Sequence, residues 1–295
     1  MVDDIAKPRI QALSSFLNEF GMYIDVLRLD EIHAMVSGNK WYKLKYYLQE
    51  AKQLNKETIL TFGGAYSNHI IATAYACHAL GFKSIGLIRG DETVELSSTL
   101  KQAQLFGMDL HFVSRKDYVF KEELFNQFSD AYIIPEGGAG ELGIQGASDI
   151  LDNIKLKKYN TIIGACGTGT MLTGILKASK PHQQIIGINV LKGFDELENQ
   201  IKLHVKDKSI ENRLSIFNEY HFGGYAKHPS PLIEFMNYLW QRENVPTDIV
   251  YTSKLFYAVH DLLQKKYFLP KTNILIIHSG GLQGNDSLTN NTLLF

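Results

Sequence analysis

The sequence predicts an α/β protein with mostly parallel sheets, built as two three-layer units. Three observations carry that prediction. From Thr58 to Ile134 short apolar runs alternate with helical stretches, the rhythm of a parallel sheet covered by helices on both faces. After Tyr159 the rhythm begins again. Glycine-bearing turns follow three of the expected strands, at Gly63-Gly64, at Gly167-Thr168-Gly169-Thr170 and at His278-Ser279-Gly280-Gly281. The 295 residues suffice for two such units.

Taken in order, residues 8 to 22 read as a loop and an amphipathic helix carrying Ile10, Leu13, Phe16, Leu17 and Phe20, stopped near Gly21. Tyr23 to Leu29 alternates as a strand does. Asp30 to Val36 leads to Ser37-Gly38-Asn39-Lys40, and a helix is expected from Trp41 to about Leu54. Its stripe of Trp41, Leu44, Tyr47, Leu48, Ala51 and Leu54 faces the core, with Lys43, Lys45, Glu50 and Lys52 elsewhere. Strands are expected at 59–62, 84–88, 110–113 and 131–134, and helices at 67–80, 94–106, 118–128 and 142–154. In the second unit, strands fall at 161–163, 184–190, 214–217 and 274–277. Helices fall at 171–178, 194–204, 231–241 and 253–265, with a polar connector at 205–212.

Composition narrows the function. Charged residues are 21% and hydrophobic residues 45%, ordinary for a globular protein. A net charge of −1 gives no steering toward nucleic acid or an anionic membrane. No apolar run approaches the roughly 18 residues of a membrane span. Met1-Val2-Asp3-Asp4 lacks the basic and apolar regions of a signal peptide. Cys77 and Cys166 are the only cysteines, and no Cys-x-x-Cys or His-Glu-x-x-His pattern occurs. The expectation is a cytoplasmic protein with no disulfide framework and no metal centre.

Three turns carry candidate chemistry. Gly167-Thr168-Gly169-Thr170 is not a dinucleotide fingerprint, because Leu172 stands where a small residue is needed. Nor is it a Walker A loop, because Thr170-Met171 follows Gly169. It remains either a plain strand-to-helix turn or a cradle for one phosphate. Gly63-Gly64-Ala65-Tyr66-Ser67-Asn68-His69 has the same design. Ser67 is a natural N-cap, and the amides of Ser67, Asn68 and His69 suit a substrate carboxylate. Lys40 is either a solvated surface amine or an enclosed one able to condense with a carbonyl. Phosphate cradle, carboxylate turn and lysine together are the inventory of a pyridoxal phosphate (PLP) enzyme.

Gly38-Asn39-Lys40-x-x-Lys43-Leu44 with Gly63-Gly64-x-x-Ser67-Asn68-His69 resembles the PLP-dependent 1-aminocyclopropane-1-carboxylate (ACC) deaminase and D-cysteine desulfhydrase family, of the tryptophan synthase β-like fold (fold type II). The resemblance runs from about residue 25 to about residue 285. It implies Lys40 as the Schiff-base lysine, Ser67 as the catalytic serine and Asn68 as a contact to the cofactor hydroxyl. It places the phosphate loop at Gly167, Thr168, Gly169 and Thr170, with a slightly different order of Gly, Ser and Thr from the usual one. It also implies active-site tyrosines at Tyr225 and Tyr251, the former in a run that lacks the family's proline. It places the cofactor ring near the His278–Gly281 turn, which matches the family's His-x-Gly-Gly turn. Two departures concern the substrate pocket: Ser37 replaces the more usual glycine, and Trp41-Tyr42 follow the lysine.

A third departure bears on the reaction. ACC deaminases carry a glutamate after the second tyrosine, facing the pyridine nitrogen. Here that residue is Thr252, as in D-cysteine desulfhydrases. A carboxylate favours the protonated, electron-withdrawing pyridinium more than a hydroxyl does. Thr252 therefore leans the expectation toward β-elimination from a small D-amino acid, D-cysteine giving pyruvate, sulfide and ammonia. The alternative is ACC deamination to 2-oxobutyrate. A dehydratase or a cysteine-synthase-like β-replacement enzyme ranks below both, because those families carry different residues around the lysine. A non-catalytic PLP-binding protein is the alternative of another class. The resemblance further implies a homodimer. It divides the chain into a large domain of residues 1–42 and 148–295 and a small domain of 43–147, with the cofactor in the cleft between them.

Overall fold

The structure is a computed structural model that describes residues 5–91, 95–152 and 154–295. The Met1–Asp4 start, the expected helix start at Val94 and the Leu17 side chain lie outside the described set. Two sheets organise the rest. The larger, in the order β1-β2-β10-β7-β8-β9, joins Arg9–Ala12, Ile24–Arg28, Ile274–His278, Thr161–Cys166, Gln184–Asn189 and Leu214–Phe217. The smaller, in the order β5-β4-β3-β6, joins Met108–Val113, Lys83–Arg89, Thr58–Gly63 and Tyr132–Ile133. Every pairing is parallel except β1 with β2. Strands β7 and β10 are buried along their whole length, which is why they read as continuous apolar runs.

Both sheets reverse their strand order once. In the smaller sheet the chain steps outward from β3 through β4 to β5, then returns to place β6 on the other side of β3. In the larger it steps from β7 to β8 and β9, then returns to place β10 beside β7. Such a reversal opens a crevice at the carboxyl ends of the two strands concerned. The turns after β3, β7 and β10 are the three glycine turns of the sequence.

The α-helices are α1 (Ser14–Phe20), α2 (Asn39–Gln53), α3 (Asn68–Leu80), α4 (Ser98–Leu105), α5 (Glu141–Ser148), α6 (Thr170–Ala178), α7 (Leu197–Val205), α8 (Lys208–Glu211), α9 (Ser230–Glu243) and α10 (Thr252–Gln264), of which α2, α3, α5, α6 and α10 matter for the site. Some expectations need correction. Arg9–Ala12 is a strand, not part of a helix; it pairs antiparallel with β2, from Arg9 opposite Arg28 to Ala12 opposite Asp25. The open edge of β2 supplies hydrogen bonds that local periodicity cannot reveal. The helix proper is Ser14–Phe20, and Leu13 and Phe16 are buried as the stripe requires. Asp117–Phe128 is 3₁₀ rather than α, broken at Phe120. Helix α5 stops at Ser148, whose hydroxyl donates back to the Gln145 carbonyl at 2.6 Å, and a short 3₁₀ turn follows at Asp149–Leu151. The expected connector at 205–212 contains a one-turn helix, Lys208–Glu211. Lys43, expected off the buried stripe of α2, is 4% exposed. Among the described residues no helix is long and apolar enough to cross a membrane.

Candidate active site

Helix α2 starts where two distant turns touch. Gly38 caps it at φ 69°, and a Cβ there would lie 1.8 Å from the Ser279 carbonyl oxygen. Only glycine fits that approach. The Asn39 amide donates to the same carbonyl at 3.0 Å, and the Gly38 amide donates to the Leu29 carbonyl at 2.8 Å. The next residue, Lys40, is thereby set on the wall of a cavity of about 370 Å³, enclosed by turns of both sheets. Desolvation lowers its amine to about 8, opposed by the charges of Asp248 and Glu136.

The turn after β3 forms another wall. The Ser67 hydroxyl accepts from the Ile70 amide at 3.4 Å as an N-cap. Asn68 and His69 occupy the first helical positions, whose amides have no acceptor within the helix. The Asn68 side chain donates to the Gly281 carbonyl at 2.9 Å, while its buried Oδ1 has no partner. His69 is 2% exposed, and its Nε2 lies 2.8 Å from the Thr61 hydroxyl. That hydroxyl spends its proton on the Ile134 carbonyl, so it accepts from His69. The ring is thus neutral, protonated at Nε2, with an unpartnered Nδ1. Burial first, then the charges of Lys40 and Lys43, hold its pKa well below the usual value.

The third wall is the loop from Gly167 into α6. Gly169 takes a left-handed conformation at φ 76°, and the Thr168 and Thr170 hydroxyls lie 2.9 Å apart. Thr168 lines the cavity; Thr170 faces a second pocket behind the loop, of about 280 Å³. The Tyr251 ring covers the loop so closely that a Cβ on Gly167 would sit 3.2 Å from it. Tyr225 meets Tyr251 edge to face, with centroids 6.4 Å apart. Burial pushes the pKa of both phenols up, so both stay protonated donors at neutral pH.

Two buried charges hold these tyrosines in place. The Asp248 carboxylate accepts from the amides of Val250, Tyr251 and Thr252 at 2.8 to 2.9 Å. The Lys254 amine donates to the carbonyls of His221 at 2.9 Å and Gly224 at 2.7 Å, tying the Tyr225 loop to α10. Thr252 belongs to this support and not to the cavity wall. It is fully buried, and its hydroxyl donates to Asp248 Oδ1 at 2.7 Å. Its hydroxyl is therefore spent on the carboxylate that caps α10.

The cavity thus brings together Lys40, Ser67, Asn68, His69, Gly167, Thr168, Gly169, Tyr225 and Tyr251, and leaves Thr170 and Thr252 behind the wall. It also brings in Lys43, Arg89, Glu136 and Ser279, which the sequence reading did not select. Lys43 was legible in its motif but masked by its polar type. Ser279 lies in a turn already marked. Nothing local marks Arg89 or Glu136.

The chain matches the pyridoxal-phosphate dependent enzyme family over residues 10–280. The chain belongs to that family. A Thermotoga maritima protein provisionally named a 1-aminocyclopropane-1-carboxylate deaminase is 29% identical, over 96% of both chains. The mitochondrial bifunctional D-cysteine desulfhydrase/1-aminocyclopropane-1-carboxylate deaminase of Arabidopsis thaliana is 29% identical, over 88% of this chain and 72% of that one. Among solved structures, an ACC deaminase homologue superposes with a TM-score of 0.81 at 27% identity, covering 96% of this chain and 92% of its own. The fold is the fold type II of these PLP enzymes.

The residues present fit PLP. The orphaned Asn68 Oδ1 is a buried polar atom awaiting a partner. The glycine–threonine loop presents amides and a hydroxyl at the N-terminus of α6, where a phosphate is favoured. Lys43, with its amine 3.3 Å from the Gly137 carbonyl, is a buried amine on the same cavity. Its pKa is held well below the usual value by burial and by Lys40, a cost that an anion beside it would offset.

Proposed function

We propose that the protein removes the β-substituent from a small D-amino acid, with D-cysteine giving pyruvate, sulfide and ammonia. The observation that carries this reading is the enclosed Lys40 amine, facing the Ser67 turn and the glycine–threonine loop across one cavity. Lys40 would hold the cofactor covalently, Asn68 would meet its ring hydroxyl, and Gly167 to Thr170 with Lys43 would hold its phosphate. PLP, when bound, supplies the electron sink for the pair left as Cα loses its proton. The amides of Asn68 and His69 would take the substrate carboxylate. Lys40, depressed toward neutrality, is a base able to take the Cα proton near pH 8. The Ser67 hydroxyl stands at the same turn to orient the substrate, and the protonated phenols of Tyr225 and Tyr251 can donate to the departing sulfur.

Position 252 carries no carboxylate, which supports elimination over cyclopropane opening. Since the Thr252 hydroxyl is spent on Asp248, the argument rests on the missing glutamate and not on a contact from threonine. The names of the relatives keep ACC deamination as the second reading. We also propose a cytoplasmic homodimer, in which residues 43–147 form the smaller domain against 1–42 and 148–295.

The test is keto-acid release from PLP-loaded protein given D-cysteine or ACC in parallel. Pyruvate from D-cysteine alone is expected; 2-oxobutyrate from ACC alone would replace this reading with the second. Lys40→Ala should abolish turnover, and wild-type activity in that variant would remove Lys40 from its role. Binding of PLP without any keto acid would mark a non-catalytic binder.

A further inference from the structure

We propose that Arg89 gives this site, beyond D-cysteine, a preference for small amino acids whose side chain carries a second anionic group, a carboxylate, sulfonate or phosphate, over their neutral isosteres. The proposal rests on the reading of the cavity as an amino-acid site and names the substrate class within it.

Arg89 is the last residue of β4, so it projects at the carboxyl end of the smaller sheet, where that sheet meets the cavity. Its guanidinium lies over one ring and beside one glycine. The guanidinium carbon lies 5.7 Å from the centre of the Tyr118 ring, in cation–π geometry, and Tyr118 is itself buried. Nη2 lies 3.7 Å from the point where a side chain on Gly64 would begin. The glycine leaves the guanidinium beside the turn that carries Ser67.

No carboxylate lies within ion-pair distance of Arg89 among the described residues. Arg9 and Arg28, by contrast, both have acidic partners. An exposed guanidinium with no ion-paired partner is available to a ligand, and it matches a carboxylate, sulfonate or phosphate through paired N–H groups. Glu136 is the opposing charge on the same wall. Its charge reaches Lys40, and it shares Tyr225 and Tyr251 with Arg89; Arg89 is exposed at the mouth, as are Tyr66 and Tyr225. A substrate with its amino group at Lys40 and its α-carboxylate on the Ser67 turn would extend its side chain past Glu136 to the mouth. A neutral β-substituent gains nothing there; an anionic one gains a charge-assisted pair.

PLP-loaded protein and its Arg89→Gln variant are titrated with D-aspartate, with the nearly isosteric D-asparagine and with D-alanine, reading the cofactor's visible band. The wild type should bind D-aspartate about tenfold more tightly than D-asparagine, as expected for a pair at a partly desolvated rim. Arg89→Gln should lose that preference and leave D-asparagine binding within about twofold; Arg89→Lys should keep part of it. Equal weakening of all three ligands would place Arg89 on the α-carboxylate and overturn the proposal. An unchanged preference in Arg89→Gln would overturn it too, as would a wild type that binds D-alanine but not D-aspartate. If no D-amino acid moves the band, the reading of the site itself fails, and the D-alanine control separates that result from failure at Arg89.

Discussion

Lys40 shows how a single residue acquires chemistry from its surroundings. A lysine amine in water is almost wholly protonated at neutral pH, and a protonated amine cannot attack an aldehyde. Desolvation in the cavity disfavours the ammonium and brings the amine to about 8. The sign follows directly: below pH 8 the nucleophilic free base becomes scarce, and above it the free base dominates. Capture of PLP by the cofactor-free protein should therefore accelerate as pH rises through about 8 and then level off. Stopped-flow absorbance would check this, and a rate still climbing toward the ordinary lysine value would show that Lys40 is not desolvated. Thr252 teaches the converse. Its type suits a cofactor contact, but its hydroxyl is committed to Asp248, which no inspection of residue type reveals.

At the scale of elements, the first turn of α10 organises one side of the site. Asp248 gathers the amides at the helix start, where a negative charge is favoured, and so orients Tyr251. Lys254, two residues into the helix, reaches across to the Tyr225 loop through two carbonyls. With Tyr225 in the role proposed for it, Lys254 is a positioning residue that acts through Tyr225. Lys254→Met should lower kcat/KM roughly tenfold, and adding Tyr225→Phe should then cost little more, because the two act as one unit. Fully additive losses in the double-mutant cycle would show that Lys254 does not act through Tyr225. The helices themselves were largely legible. The span of α3, expected at 67–80 and found at Asn68–Leu80, follows from local chemistry, since the Ser67 cap and the left-handed Gly81 after its end act on neighbours a few residues away. The strand at Arg9–Ala12 was not legible, because its partner is an edge elsewhere in the chain.

For the whole molecule, the cavity joins the two sheets, since its wall is built from the turns after β3, β7 and β10 and from the last residue of β4. A ligand in it bridges both halves, so its binding energy adds to the stability of the assembled fold. At a cofactor concentration about 100-fold above its dissociation constant, this amounts to roughly 2.7 kcal/mol. Removing PLP should lower the Tm by roughly 5 °C or more for a chain of this size. Lys40→Ala should lose much of that increment while folding normally without cofactor. Calorimetry of the loaded and stripped proteins would check both statements, and equal Tm values would place the cofactor outside the junction.

The sequence by itself determined most of the elements, the parallel architecture and the three turns, because each rests on contacts between near neighbours and on a hydrophobic period that a single strand or helix must show. It also marked Lys40, Ser67, Asn68 and the glycine–threonine loop, through motifs whose spacing places them at strand ends. Only the tertiary structure decided that Lys43 is buried, that Arg89 and Glu136 share the cavity, and that Thr252 is spent on Asp248. It alone showed that Gly38 must be glycine because Ser279 presses on it. Burial and partnership are properties of pairs brought together from distant parts of the chain, and the free energy that shifts a pKa or satisfies a hydroxyl exists only once those partners are in place.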